Sequence, residues 1–289
     1  MSAFGRAYHA ENEKNPVFCD NFARRLMTDD EYAAMRGYIL GGLDFFAPEK
    51  KGSFKNDNDA LRYLINTHIA PTPLCRSDYC EAALRAAVRT GTTQYVILGA
   101  GLDSFAFRER EFCGKYKIFE VDHPKTQQDK LARIERSGLE TPENLTFVGV
   151  DFTKDSLSDA LAAAGFDRNA KTFFSWLGVS YYLYADEIGN MLAGLAGLCA
   201  DGSTLVFDYA DAGLFLAEET RVQNMLKMAE AGGEPMRSSF DYISIDSLLA
   251  EHGFLVYELL TPAEIQSQII AGRDMTAFEH INYILAVHK

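Results

Sequence analysis

The chain predicts an open, doubly wound α/β sheet, and three observations carry that prediction. From Gln94 onward, short β-rich runs alternate with punctuated helical segments. Most of these runs are apolar on successive residues, as in strands covered on both faces. The first of them, "QYVIL", stops on Gly99-Ala100-Gly101, a glycine turn suited to the carboxyl edge of such a sheet.

Residues 1–92 read as a helical cover. In "NDNDALRYLINTHIA", Leu61, Leu64, Ile65 and His68 recur at helical spacing, and His68 completes the apolar face as a packed histidine rather than a ligand. Pro71 and Pro73 are expected to break that helix, and "RSDYCEAALRAAVRTG" forms another that ends on Gly91. The remaining strand candidates follow as "KIFEVD", "NLTFVGVD", "KTFFSWLG", "STLVFDYA", "FLVYELL" and "HINYILAVH". Between them, "HPKTQQDKLARIERSG" has Pro124 near its start and Gly138 just past its end, the usual helix asymmetry. "ADEIGNMLAGLAGLCADG" sets Ile188, Met191, Leu192 and Leu195 on one face, with Asp201-Gly202 as the expected stop. The last run follows a short loop and suits an antiparallel strand inserted into the sheet.

Residues 211–241 interrupt the alternation. Val222, Met225, Leu226 and Ala229 form a helical stripe that Gly232-Gly233 and Pro235 end. Two readings stand: a lid over the carboxyl ends of the strands, or a helix packed on the sheet with its methionines in the core. Residues 93–289 are then a sheet domain carrying this insertion, forming one compact unit with the 1–92 cover.

Composition narrows the function. A formal net charge of -13 disfavours contact with phosphate backbones, which argues against a nucleic-acid substrate. No run has the ~18 apolar residues of a membrane span. The opening "MSAFGRAYHAENEKNP" lacks an apolar leader core, so a cytoplasmic protein is expected. Cys19, Cys75, Cys80, Cys113 and Cys199 are odd in number and contain no C-x-x-C, so neither disulfides nor a metal site is expected, only buried or half-buried thiols.

A glycine turn after the first strand admits a ligand close to the backbone, because no Cβ stands in the way. Two adenosine-bearing classes use such a turn, the nicotinamide or flavin dinucleotides and S-adenosylmethionine. The dinucleotide fingerprint G-x-G-x-x-G has Ser104 where its third glycine belongs. "KIFEVD" ends in Glu120 and Asp122, and a carboxylate there accepts hydrogen bonds from ribose hydroxyls while repelling a 2′-phosphate. Asp122 is the ribose candidate, with Glu120 a second on the same strand face. At the end of "VGVDF", Asp151 can accept from an adenine amino group and Phe152 can flank the ring.

With these residues in view, the chain resembles the leucine carboxyl methyltransferase family, in its bacterial branch of S-adenosylmethionine-dependent O-methyltransferases. The resemblance is carried by "RAYHA", "RSDYCEAAL", "QYVILGAGLDSFAFR", "FEVDHPKTQQDK", "VGVDF", "AGFDRNAKTFFSWLGVSYYL" and "NYILAVHK". It implies a seven-stranded class I methyltransferase sheet, Rossmann-like, with an antiparallel last strand and a helical cover. It also implies roles at matching positions. Gly99, Ala100 and Gly101 lie under the cofactor, Asp122 on its ribose, and Asp151 and Phe152 on its adenine. Arg76 holds the methionine carboxylate, and Arg6 is a second cation there; a guanidinium suits both tasks because it binds carboxylates bidentately.

Two departures stand out. Many relatives carry "GLDTR" where this chain reads Gly101-Leu102-Asp103-Ser104-Phe105, and many carry glutamate where Leu177 precedes Gly178, leaving only a backbone carbonyl to offer. The implied reaction moves a methyl group to a carboxylate or hydroxyl of a small molecule. A carboxylate acceptor is already ionised at neutral pH, whereas a hydroxyl usually needs a base. Tyr181, Tyr182 and His123 are the candidates nearest the reacting methyl, and no catalytic base is assigned. The competing readings are an NAD-dependent dehydrogenase and a non-catalytic S-adenosylmethionine-binding protein. No motif encodes an oligomeric state.

Overall fold

In the computed structural model, residues 1–289 are described except Thr153 and the side chain of Cys113. Seven strands form one sheet: β1 (Gln94–Leu98), β2 (Lys117–Asp122), β3 (Leu145–Gly149), β4 (Thr172–Trp176), β5 (Thr204–Ala210), β6 (Phe254–Leu260) and β7 (Ile281–His288). Their spatial order is β3-β2-β1-β4-β5-β7-β6. The first five are parallel, and β7 pairs antiparallel with both β5 and β6. Chain order reverses between β1 and β4, so a crevice opens at their carboxyl ends, where ligands bind in such sheets.

Burial explains the sequence pattern. Every residue of β1, β4 and β5 is buried, so these strands face protein on both sides and cannot alternate. On one face, Val96, Phe119, Phe174 and Phe207 pack with Leu161, Leu192 and Leu249 from later helices. On the other, Ile97, Ile118, Phe173 and Val206 share a single apolar cluster with Phe4, Leu74 and Leu84. The N-terminal helices therefore close a sheet face and have no core of their own. Edge strand β6 leaves Leu255 and Tyr257 exposed.

Two boundaries and one thiol differ from expectation. Pro71 does not merely end the preceding helix. Asp57–Leu64 widens into a π-helical turn over Ile65–Ile69, and the next helix runs Pro71–Arg89, starting before Arg76. Proline is tolerated there because first-turn N–H groups have no helical partner. The helix after β4 spans Ala185–Ala196 and stops at Gly197, ahead of Asp201-Gly202. Cys19 is exposed, against the expectation for the thiols, because it sits in the connection between helices Ser2–Asn12 and Asn21–Arg25. Cys75 and Cys80 are buried, Cys199 is half-buried, all four are free, and Cys113's thiol lies outside the described residues.

The 211–241 segment packs its helix on the cover side, as the second of its expected readings has it. Its helix, Thr220–Ala231, buries Val222 completely and packs Met225 and Leu226 on the cover-side cluster. Asn224 Nδ2 donates to the Phe45 carbonyl at 2.7 Å, tying this helix to the cover. The returning chain lies at the carboxyl edge, where the Arg237 N–H donates to the Tyr181 carbonyl at 2.7 Å and the Phe240 N–H to the Ala210 carbonyl at 2.9 Å. Among the described residues, no helix is long and apolar enough to cross a membrane.

His68 packs against the rings of Phe46 and Tyr63, with centroids at 5.1 and 6.3 Å. Burial, helped by the Arg221 charge, pushes its pKa down to about 4. The unfolded chain therefore binds more protons than the folded one between that value and the ordinary 6.5, so stability rises with pH across the window. Urea unfolding should show stability falling as the pH drops from 6.5 towards 4, and His68→Phe should flatten that slope. An unchanged slope in the variant would remove His68 as its source.

Candidate active site

The glycine turn is built by its neighbours. Gly99 and Gly101 adopt left-handed φ values of 67° and 48°, which L side chains rarely take. The Gly99 and Ala100 N–H groups donate to the Val121 carbonyl at 2.9 and 3.2 Å, pinning the turn to β2. A Cβ on Gly99 would lie 2.9 Å from Val179 Cγ2, so glycine is also needed for the approach of the β4 loop. Asp122, at the end of β2, accepts from the Gly101 N–H at 2.5 Å and from the His123 N–H at 2.7 Å. Its carboxylate thus grips the turn from the place where the sequence puts a ribose contact.

Arg76 reaches the same edge from the Pro71–Arg89 helix. Its Nη1 donates to Asp208 Oδ2 and to the Tyr181 hydroxyl, both at 3.1 Å. Asp208 is fully buried in β5, and its other oxygen accepts from the Gly178 N–H at 2.6 Å. Burial works against the Arg76 charge, but the Tyr181 and Asp208 oxygens outweigh it, and the guanidinium holds its proton more tightly than usual. Arg6 arrives from the first helix. Its Nη2 donates to the Leu102 carbonyl at 2.7 Å and its Nε to buried Asp20 at 2.8 Å. Asp20 also accepts from Ser104 Oγ at 2.7 Å, so one carboxylate ties the cover to the loop after the turn.

Arg6, Arg76, the Gly99–Gly101 turn, Asp103 and Leu177 line one cavity of about 320 Å³. That volume lies within the range of small-molecule sites. Ala100 and Leu177 are on its wall, as expected. Asp122 is not, its two oxygens being turned to the Gly101 and His123 N–H groups, and neither are Asp151 and Phe152. They follow β3 beyond the rim, where Asp151 pairs with Lys154 at 2.6 Å and lies 3.8 Å from His123 Nε2, while Phe152 is 41% exposed. His123 follows Asp122 directly, so the tips after β1, β2 and β3 form a continuous chain of neighbours.

Glu120 leaves the expected set. It shares a strand face with Asp122, but its side chain is buried and paired with buried Lys130. Burial pushes its carboxyl up to about 7 although Lys130 pulls the other way, and Oε1 has no hydrogen-bond partner. The next residue along that face reaches the rim; Glu120, two positions earlier, lies under the helix Pro124–Ser137.

The three catalytic candidates are also accounted for. Tyr181 is buried and bonded to Arg76, and burial raises its pKa well above the ordinary phenol value. Tyr182 packs edge-on against it with centroids 4.7 Å apart, its pKa also raised by burial. His123 caps the Pro124–Ser137 helix, its Nδ1 accepting from the Lys125 N–H at 3.2 Å. Asp20 and Asp208 escaped the sequence reading. Asp208 did carry a signal: an acid inside the apolar run "STLVFDYA" has to be paired if the strand is buried on both faces.

The arrangement fits an adenosyl amino acid: a turn with no Cβ at Gly99 and Gly101, two guanidinium groups at one end and a carboxylate at the β2 rim. Asp122→Ala should weaken binding of S-adenosylhomocysteine by about 1–3 kcal/mol, through lost charged hydrogen bonds and a loosened turn. Calorimetry checks this, and unchanged affinity would take Asp122 out of the site.

Comparisons with known proteins agree with this geometry. The sequence model of the family described as "Leucine carboxyl methyltransferase" matches residues 1–196. The Bacillus subtilis (strain 168) protein described as "Putative S-adenosyl-L-methionine-dependent methyltransferase YktD" is 42% identical over 100% of this chain and 96% of its own length. A Mycobacterium marinum protein of the same general description is 30% identical over 89% of this chain and 81% of its own. Among solved structures, a DUF574 family protein from Streptomyces avermitilis superposes with a TM-score of 0.56 at 16% identity, covering 89% of this chain and 97% of that one. A Bordetella parapertussis protein does so with 0.53 at 13% identity, covering 100% and 94%. Both show the fold alone. The family match removes the dehydrogenase alternative: the chain belongs to the leucine carboxyl methyltransferase family and is an S-adenosylmethionine-dependent methyltransferase.

Proposed function

We propose that the enzyme methylates an oxygen of a small metabolite, a carboxylate in preference to a hydroxyl. The observation that carries this reading is that none of the three candidate bases, Tyr181, Tyr182 and His123, lines the cavity. Tyr181 serves Arg76, Tyr182 packs on Tyr181, and His123 caps a helix. A hydroxyl acceptor usually needs a base to take its proton, whereas a carboxylate arrives ionised.

S-adenosylmethionine supplies the activated methyl group when bound. Arg76 and Arg6 are suited to its carboxylate, and the Gly99–Gly101 turn lets the ligand lie against the backbone. Asp122 is suited to the ribose hydroxyls, and Asp151 and Phe152 to the adenine. Asp208 and Tyr181 hold Arg76 in place, while Asp20 holds Arg6. The remaining task of the protein is to fix the acceptor oxygen in line with the methyl, with reacting atoms about 3–3.5 Å apart.

Incubating the protein with methyl-labelled cofactor and a metabolite extract tests the reading. Label should enter a small product and be released as methanol by mild alkali, as from a methyl ester. Alkali-stable O-methyl label would shift the acceptor to a hydroxyl. Label on nitrogen or carbon would overturn oxygen transfer, and no labelled product would favour the non-catalytic alternative.

A further inference from the structure

We propose that Asp103 receives the α-ammonium group of the cofactor, completing with Arg6 and Arg76 a subsite for a zwitterionic amino-acid end. The inference rests on the cavity being the cofactor site and adds a residue to it.

The two arginines of the cavity each bring a counter-charge of their own, Asp20 for Arg6 and Asp208 for Arg76. Asp103 has none. It forms no ion pair among the described residues, and it is the only acid among those lining the cavity. Arg108 is close enough to feel its charge but is committed to Glu81, with Asp20 at 3.6 Å and Glu109 at 3.8 Å. A carboxylate without a counter-charge on a cavity wall attracts a cationic group.

The side chain is held but half free. Asp103 Oδ1 accepts from the Phe105 N–H at 2.8 Å, fixing the carboxylate, and Oδ2 has no protein donor among the described residues. The preceding residue, Leu102, gives its carbonyl to Arg6 at 2.7 Å. Neighbouring positions of one short loop thus carry a guanidinium contact and a free carboxylate. An α-amino acid presents the matching pair, carboxylate and ammonium on one carbon. Leu177 sharpens the assignment, because it stands on the same wall and offers no charge. The competing role for Asp103, a cap on the Phe105 N–H alone, needs an oxygen but no charge.

Asp103→Asn separates the two roles by keeping the acceptor and removing the charge. Calorimetry on the full chain would use S-adenosylhomocysteine, its analogue lacking the amino group, and 5′-methylthioadenosine, which lacks the whole amino-acid end. The unaltered protein should bind S-adenosylhomocysteine about 10- to 100-fold more tightly than the deaminated analogue, the size of a charge-assisted hydrogen bond. In Asp103→Asn that preference should disappear, through weaker binding of S-adenosylhomocysteine, with the other two affinities unchanged. Equal weakening of all three, or none of any, overturns the assignment. Should the variant not fold, the unaltered protein still decides: equal affinity for S-adenosylhomocysteine and its deaminated analogue overturns it. That result would leave the cofactor site standing, whereas failure of the unaltered protein to bind any of the three would overturn both.

Discussion

Asp208→Ala should lower the unfolding free energy by about 3–5 kcal/mol, the loss that follows when one partner of a buried ion pair is removed. Asp208 has no exposed side-chain surface and Arg76 only 15%, so little water can replace the missing carboxylate. The Gly178 N–H loses its acceptor in the same substitution. Urea denaturation of the two proteins measures the difference. Asp208→Asn, which keeps an acceptor for Gly178, should cost less, and the gap between the variants separates charge from hydrogen bonding. A loss below about 1 kcal/mol for alanine would match an exposed pair and contradict the burial argued here.

The second large effect is expected at Gly178. Its φ of 74° is left-handed, which costs an L residue about 1–2 kcal/mol. A Cβ there would also lie 2.4–2.6 Å from the Arg76 guanidinium. Long side chains often swing clear of such a contact, but Arg76 is tied to Asp208 and Tyr181 and has no free direction. Gly178→Ala should therefore displace Arg76 as well as strain the turn. Affinity for S-adenosylhomocysteine should fall about 10- to 100-fold, with thermal stability reduced. Full affinity in a folded Gly178→Ala would show that Arg76 does not hold the cofactor carboxylate.

Much of the frame was legible in the residues. The seven runs became the seven strands, because burial on two faces imposes an apolar pattern that survives without knowledge of neighbours. Pro124 and Gly138 bracket their helix for the same local reason, a missing N–H at one end and left-handed backbone at the other. Where local rules conflicted with packing, packing won. By local rules Pro71 and Pro73 stop a helix, yet they start a 19-residue helix that carries Arg76 to the carboxyl edge. Glu120 and Asp122 share a face and a chemistry, and only the helix lying over the first of them separates an interior ion pair from a carboxylate at the rim.

Periodicity and glycine placement were enough for the strands, the covered sheet and the glycine turn after the first strand, because those depend on backbone freedom and on apolar patterning within a few residues. The tertiary structure alone decided which charges oppose each other: Asp20 with Arg6, Asp208 with Arg76, and Asp103 with no ion-pair partner among the described residues. Those pairings join positions far apart in the chain, and electrostatic energy depends on separation in space and on burial, neither of which a linear spacing records.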